Sequence, residues 1–128
     1  MSDSQNLSIV RRLYESGMAP DVVAEIVATD FVFDITPGFP FGGVYHGWPD
    51  VAENSFGRLT PSYESFGPIT EDFHATGNLV VVQGHYHAVS KSGQAGDIRF
   101  VHTWHVVDGH LTHLRQTADS HIAHQLLS

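Results

Sequence analysis

The chain reads as an α+β domain, with helices in its first half followed by a run of antiparallel strands. Three observations predict this. Apolar residues recur at helical spacing twice before residue 30: first Leu7, Val10, Leu13 and Tyr14, then Val22, Val23, Ile26 and Val27. From Tyr63 onward the texture changes to long stretches of β-branched and aromatic residues with alternating polarity. Between the last two stretches stands Asp108-Gly109, a dipeptide that supplies the positive φ angles of a tight hairpin turn. Helices covering one face of a curved sheet is the layer plan this order allows.

Taken in order, Ser4 is the expected N-cap of a first helix that Gly17 ends. Pro20 and Asp21 suit the first turn of a second helix, where proline is tolerated and an acid complements the dipole. Residues 30–36 alternate like a strand and run into Pro37-Gly-Phe-Pro-Phe-Gly-Gly43, a loop that carries two aromatics. Gly47-Trp48-Pro49-Asp50 starts a third helix, with Val51, Ala52, Phe56 and Leu59 packing inward. Four strands are expected near 63–75, 79–90, 97–107 and 110–118, followed by a short helical tail from Ser120 to Leu127.

At 128 residues the chain is expected to be one domain, 1–128, large enough to bury about two-thirds of its unfolded surface. A net charge of −8 with six Lys plus Arg argues against nucleic acid or an anionic membrane as partner. Cysteine is absent, which excludes disulfides and thiolate chemistry and fits a reducing compartment. No apolar run approaches the ~20 residues of a membrane span, and the N-terminus lacks the apolar core of a leader. A cytoplasmic protein is the expectation. Ten histidines outnumber the Lys plus Arg, so charge should change between about pH 5 and 7.

The segments VRRLYESGMAPDVVAEIVATDFVFDITPG, GVYHGWPDVAENSF and FVHTWHVVDGHLTHLRQTAD resemble the nuclear transport factor 2-like superfamily, and within it the SnoaL-like and ketosteroid-isomerase-like proteins. The resemblance implies a cone-shaped, curved antiparallel (mixed) sheet wrapped by three helices. It also implies a pocket inside the cone, a homodimer through the outer sheet face and chemistry without a cofactor. Members include isomerases, cyclases, dehydratases and pure binding domains, so function has to be argued from the pocket.

Strand alternation divides the faces. Ile98, Phe100, His102, Trp104 and Val106 are expected inward, with Val82, Gly84, Tyr86 and Ala88 and with Leu114, Gln116 and Ala118. His85, His87, His105, His113 and Arg115 then form an outer row suited to a wet dimer interface. His102 is the leading candidate for chemistry, flanked by aromatics on the inward face. Asp119 corresponds to the base of the SnoaL-like cyclases, and it is equally a helix N-cap. Asp34 lies near the position of the family's general base, or else is a strand-end residue bonding the next loop. Tyr14 lies on the helix that carries a tyrosine donor in the steroid isomerases. Phe39, Phe41 and Trp48 are expected to close the cone as a lid or a plug, with Phe56, Val82, Tyr86, Phe100, Trp104, Leu114 and Gln116 lining it. His85 with His87, and His121 with His124, lack an evident third ligand, so no metal is expected.

Two readings follow. One is a SnoaL-like protein that binds a small apolar carbonyl compound and shifts protons as an isomerase, cyclase or dehydratase. The other is a non-catalytic ligand-binding or dimerisation domain of the same fold.

Overall fold

In a computed structural model, residues 2–127 are described. The first helix, α1, spans Asp3–Glu15 and begins two residues earlier than expected. Its N-cap is Ser2 rather than Ser4, because Ser2 and Gln5 form a reciprocal capping box. Val10 and Leu13 are buried on its inner face. Asn6, also buried, donates to the Gly77 carbonyl, while the Asp3 carboxylate accepts from the Gly77 N–H. These bonds pin the start of α1 to a distant turn. The second helix, α2, spans Pro20–Ile26 with the proline in its first turn and Val22, Val23 and Ile26 buried.

Strand β1 covers Val27–Ile35 and so starts directly where α2 stops. A short strand, β2, spans Gly43–His46, between the expected loop and the third helix; at four residues it is too short to show a period. Residues 48–62 form one irregular helical segment. A turn at Trp48–Asp50 passes into π-helical Val51–Phe56, then Gly57–Leu59 and a tight 3-10 turn at Thr60–Ser62. The long strands are β3 (Ser65–Thr76), β4 (Leu79–Val89), β5 (Ala95–Val107) and β6 (His110–Ala118). Asp108 and Gly109 both take positive φ, 50° and 78°, as the turn joining β5 to β6 requires. A C-terminal helix occupies Ser120–Gln125.

The six strands form one curved sheet in the order β2-β1-β6-β5-β4-β3. All neighbours are antiparallel except β1 and β6, which run parallel. β3 carries a bulge between Thr70 and Asp72, where its backbone presses on Gly84. A Cβ at Gly84 would lie 2.3 Å from the Ile69 carbonyl oxygen, so only glycine fits there. The helices cover the inner face, which holds the core: Phe31, Phe33, Ile35, Val80, Val82, Phe100, Trp104 and Leu114 are all buried. Each such side chain contributes on the order of 1.5–3 kcal/mol through lost apolar surface. No helix among the described residues is long and apolar enough to cross a membrane.

Candidate functional site

The inner face of β5 carries His102, almost fully buried, stacked on Phe100 with ring centroids 3.8 Å apart. Both imidazole nitrogens are engaged. Nδ1 meets the Tyr14 hydroxyl from α1, and Nε2 meets the Tyr86 hydroxyl from β4 at 2.6 Å. The Trp104 indole N–H donates to the Tyr14 oxygen at 3.0 Å. At the other end the Gln116 amide donates to the Tyr86 oxygen at 3.4 Å. Gln116 is itself met by Thr36, whose hydroxyl and N–H donate to the Gln116 backbone carbonyl at 2.7 and 3.0 Å, with its Oε1 slightly farther at 3.1 and 3.3 Å. The result is one buried chain of polar groups crossing the interior from Trp104 to Thr36.

Strand register explains how these residues meet. His102 pairs with Val82 on one side and Gln116 on the other, while Trp104 pairs with Leu114. Tyr86 stands on the same face of β4 as Val82 because strand side chains repeat every second residue. The expected inward sets on β4, β5 and β6 all face the core, with Ala118 only partly covered.

Burial sets the protonation of the network. With no carboxylate beside it, His102 loses its hydration shell without compensation, and its pKa falls to about 3. The ring is therefore neutral at physiological pH and a very weak base. Burial pushes both tyrosines upward: Tyr86 against a small opposing pull from Gln116, and Tyr14 against one from Trp104. All three groups are neutral hydrogen-bonding partners.

The two candidate carboxylates lie elsewhere. Phe31, Phe33 and Ile35 take the inner positions of β1, so Asp34 between them points to the outer side. There its carboxylate lies 3.8 Å from the Arg115 guanidinium, which corrects the expectation that Asp34 faces the cone. Asp119 is exposed and caps the C-terminal helix, accepting from the N–H groups of His121 and Ile122 at 3.0 and 3.2 Å. Its carboxylate is turned to the helix and not to His102. Phe39 is buried against Tyr86, with ring centroids 6.2 Å apart, whereas Phe41 is 38% exposed on the rim, outside the cone lining expected of it. Trp48 and Phe56 pack on Phe31 and Phe33, and this aromatic group joins the network through Phe31 stacked on Trp104.

Three contributors escaped the sequence reading. Thr36 orients Gln116, Phe66 stacks on Tyr86 and Phe73 packs edge-on against Tyr14. For β1 the signal was present: the alternation of Phe31, Phe33 and Ile35 already assigns Asp34 to the opposite face. Among the described residues no group of three or more His, Cys, Asp or Glu side chains is arranged to hold a metal ion. A groove of about 430 Å³ opens at the β3 bulge beside Glu71, Gln83 and Arg99; His102 does not line it, but Phe100, on which His102 stacks, does.

The model of the SnoaL-like domain matches residues 10–114, which include Tyr14, Tyr86, His102 and Trp104. The chain belongs to the SnoaL-like family. Solved structures agree on the nuclear transport factor 2-like fold. A protein of that fold and of unknown function from Burkholderia pseudomallei K96243 is 24% identical, with a TM-score of 0.82 over 100% of this chain and 99% of the other. A protein described as a SnoaL-like polyketide cyclase, from Jannaschia sp. CCS1, is 21% identical with a TM-score of 0.82, covering 98% of this chain and 93% of its own. The protein TerC, co-crystallized with polyporic acid, is 20% identical with a TM-score of 0.86, covering 96% and 98%. No curated protein matches by sequence. The SnoaL-like family includes polyketide cyclases and isomerases.

Proposed function

We propose that this SnoaL-like chain binds a small, largely apolar molecule carrying a carbonyl oxygen, and polarises that oxygen with hydrogen-bond donors inside the cone. The observation that supports this is His102, neutral, buried and held between two tyrosine hydroxyls. Donors fixed in a water-poor interior stabilise developing negative charge on an oxygen far better than donors in water. An imidazole with a pKa near 3 is too weak to remove a C–H proton. In isomerase-, cyclase- or dehydratase-type chemistry the network would therefore serve as the donor that polarises the oxygen, and neither it nor Asp34 or Asp119 would be the base.

The runner-up is a non-catalytic ligand-binding or dimerisation domain. Phe39 favours it, because that ring fills the interior beside Tyr86. Self-association through the outer sheet face, with its row of histidines, belongs to both readings.

The bicyclic ketone 1-tetralone tests the first reading. Wild-type protein is expected to bind it saturably in calorimetry, with the His102 ring resonances moving in proportion to occupancy. Binding that leaves those resonances unmoved, or no binding up to the solubility limit, refutes the reading.

A further inference from the structure

The interior network is closed over. Tyr86, His102 and Trp104 are buried. Three grooves of about 360 to 430 Å³ open on the surface, and neither Tyr86 nor His102 lines any of them. A ligand reaches the network only where a side chain gives way. Among the described residues four rings surround Tyr86: Phe100 with centroids 4.6 Å away, Phe66 at 4.7 Å, His102 at 5.7 Å and Phe39 at 6.2 Å. Phe66 is carried by β3, and Phe100 and His102 by β5, so ladder pairing fixes each of them. Phe39 alone stands on a loop, residues 36–42, and yet it is buried.

Few bonds hold that loop shut. The Phe39 N–H donates to the Thr36 carbonyl at 3.0 Å and the Gly42 N–H to the Phe39 carbonyl at 2.7 Å, both within the loop. The Tyr45 hydroxyl, from the strand just beyond, donates to the Phe41 carbonyl. The tie to a distant part of the chain is His124 on the C-terminal helix, whose Nε2 donates to the Gly38 carbonyl at 2.6 Å. The closed shape is also strained. Phe41 holds φ at 57°, a region that a side chain with a Cβ rarely adopts. A Cβ at Gly42 would lie 2.5 Å from the Thr36 carbonyl oxygen and 2.9 Å from that of Phe39, so the turn closes only around glycine. A ring held by a short, strained loop opens at lower cost than rings held by a sheet.

Resting on the reading of a ligand site in the cone, we propose that Phe39 is a displaceable plug, whose ring occupies the place that a ring of the ligand takes on binding. The class of ligand follows from what it replaces: a planar, apolar ring of about phenyl size. Phe39 is then a specificity-determining residue, because its burial is what an entering molecule has to match.

Amide hydrogen exchange in wild-type protein is the first test. Saturating 1-tetralone should speed exchange at the Phe39 and Gly42 amides, whose bonds belong to the closed loop. Slower or unchanged exchange there makes Phe39 a wall around the ligand and overturns the plug. The second test is affinity in two variants. Phe39→Ala removes the ring, while Gly42→Ala keeps the ring and crowds the closed turn. An open form populated at about 10% or less weakens apparent affinity about tenfold or more. Phe39→Ala should therefore bind 1-tetralone at least about tenfold tighter than wild type, with Gly42→Ala shifted in the same direction. Equal or weaker binding by Phe39→Ala, or by Gly42→Ala where the former does not fold, overturns the plug while wild-type binding leaves the ligand site standing. If wild-type protein binds no 1-tetralone, the underlying reading fails, and this inference with it.

Discussion

The two faces of one sheet treat the same residue type in opposite ways. On the inner face His102 is stripped of water, bonded to two neutral tyrosines and held uncharged. On the outer face His85 and His87 keep solvent and carboxylates: His85 Nδ1 lies 3.1 Å from Glu71, and His87 Nδ1 2.9 Å from Asp97. The hydrogen bond from His87 holds the Asp97 carboxyl below its usual range. Only the parity of the position along a strand separates these outcomes. A buried imidazole without a counter-charge becomes a neutral donor and acceptor, while one at the surface has carboxylates for partners.

The largest test of that contrast is stability in acid. In the unfolded chain a histidine binds its proton near pH 6.5, whereas folded His102 does so only near 3. Between those values the unfolded state holds more protons, so stability is complete above about pH 6.5 and is lost as pH falls toward 3. Urea midpoints at pH 7 and 4.5 should show a loss on the order of 2–3 kcal/mol from this group. His102→Gln should remove most of that component, and an unchanged pH dependence in the variant would erase the distinction between the faces.

Backbone crowding sharpens the comparison next. Gly84→Ala places a Cβ 2.3 Å from the Ile69 carbonyl and 2.9 Å from Phe100 Cζ, and should cost about 1–3 kcal/mol in a denaturant melt. Gly67→Ala on β3, where a Cβ meets nothing within 4 Å, should change stability by less than about 0.5 kcal/mol. Asp119→Ala should cost about 1 kcal/mol by uncapping the C-terminal helix, while Asp119→Asn keeps the cap and binds 1-tetralone as wild type does. An Asp119→Asn protein that folds but loses the ketone would return that carboxylate to the site. The smallest effect belongs to the outer face. His85→Gln with His87→Gln should shift stability by less than about 0.5 kcal/mol, because exposed pairs contribute little. Light scattering is expected to find wild type self-associated at micromolar concentration and less so near pH 5.5, with the double variant losing that pH response.

Much of this was legible in the residues. Long alternation on β4, β5 and β6 set the faces, since thirteen-residue β5 gives the period room to declare itself. It placed His102, Trp104, Tyr86 and Gln116 together before any fold was known. On β1 the same alternation, Phe31, Phe33 and Ile35 inward, sets Asp34 on the opposite face. The partnership of Tyr14 with His102 spans 88 positions, and no local pattern encodes it. Whether Asp119 capped a helix or faced a pocket was undecidable from composition, because a cap and a base use the same carboxylate. The π-helical stretch at Val51–Phe56 left no signature, as its departure from the α-helical period is under two turns long.

The parallel pairing of β1 with β6 has a consequence for how the chain is made. β1 enters the sheet through β6, and β2 enters only through β1. Val32, Phe33, Asp34 and Ile35 thus wait for His113 to Gln116, some eighty residues later. During synthesis β1 and β2 emerge long before β6, so the β3–β4–β5 meander, on which α1 packs, can form before they have a place in the sheet. Closing so long a loop is slow, and the exposed edge of β5 is available to other chains until β6 arrives. A truncation just before His110 would therefore remove more than one strand. It would leave β1 and β2 without a place in the sheet, and such a fragment should be found in aggregates or bound to chaperones.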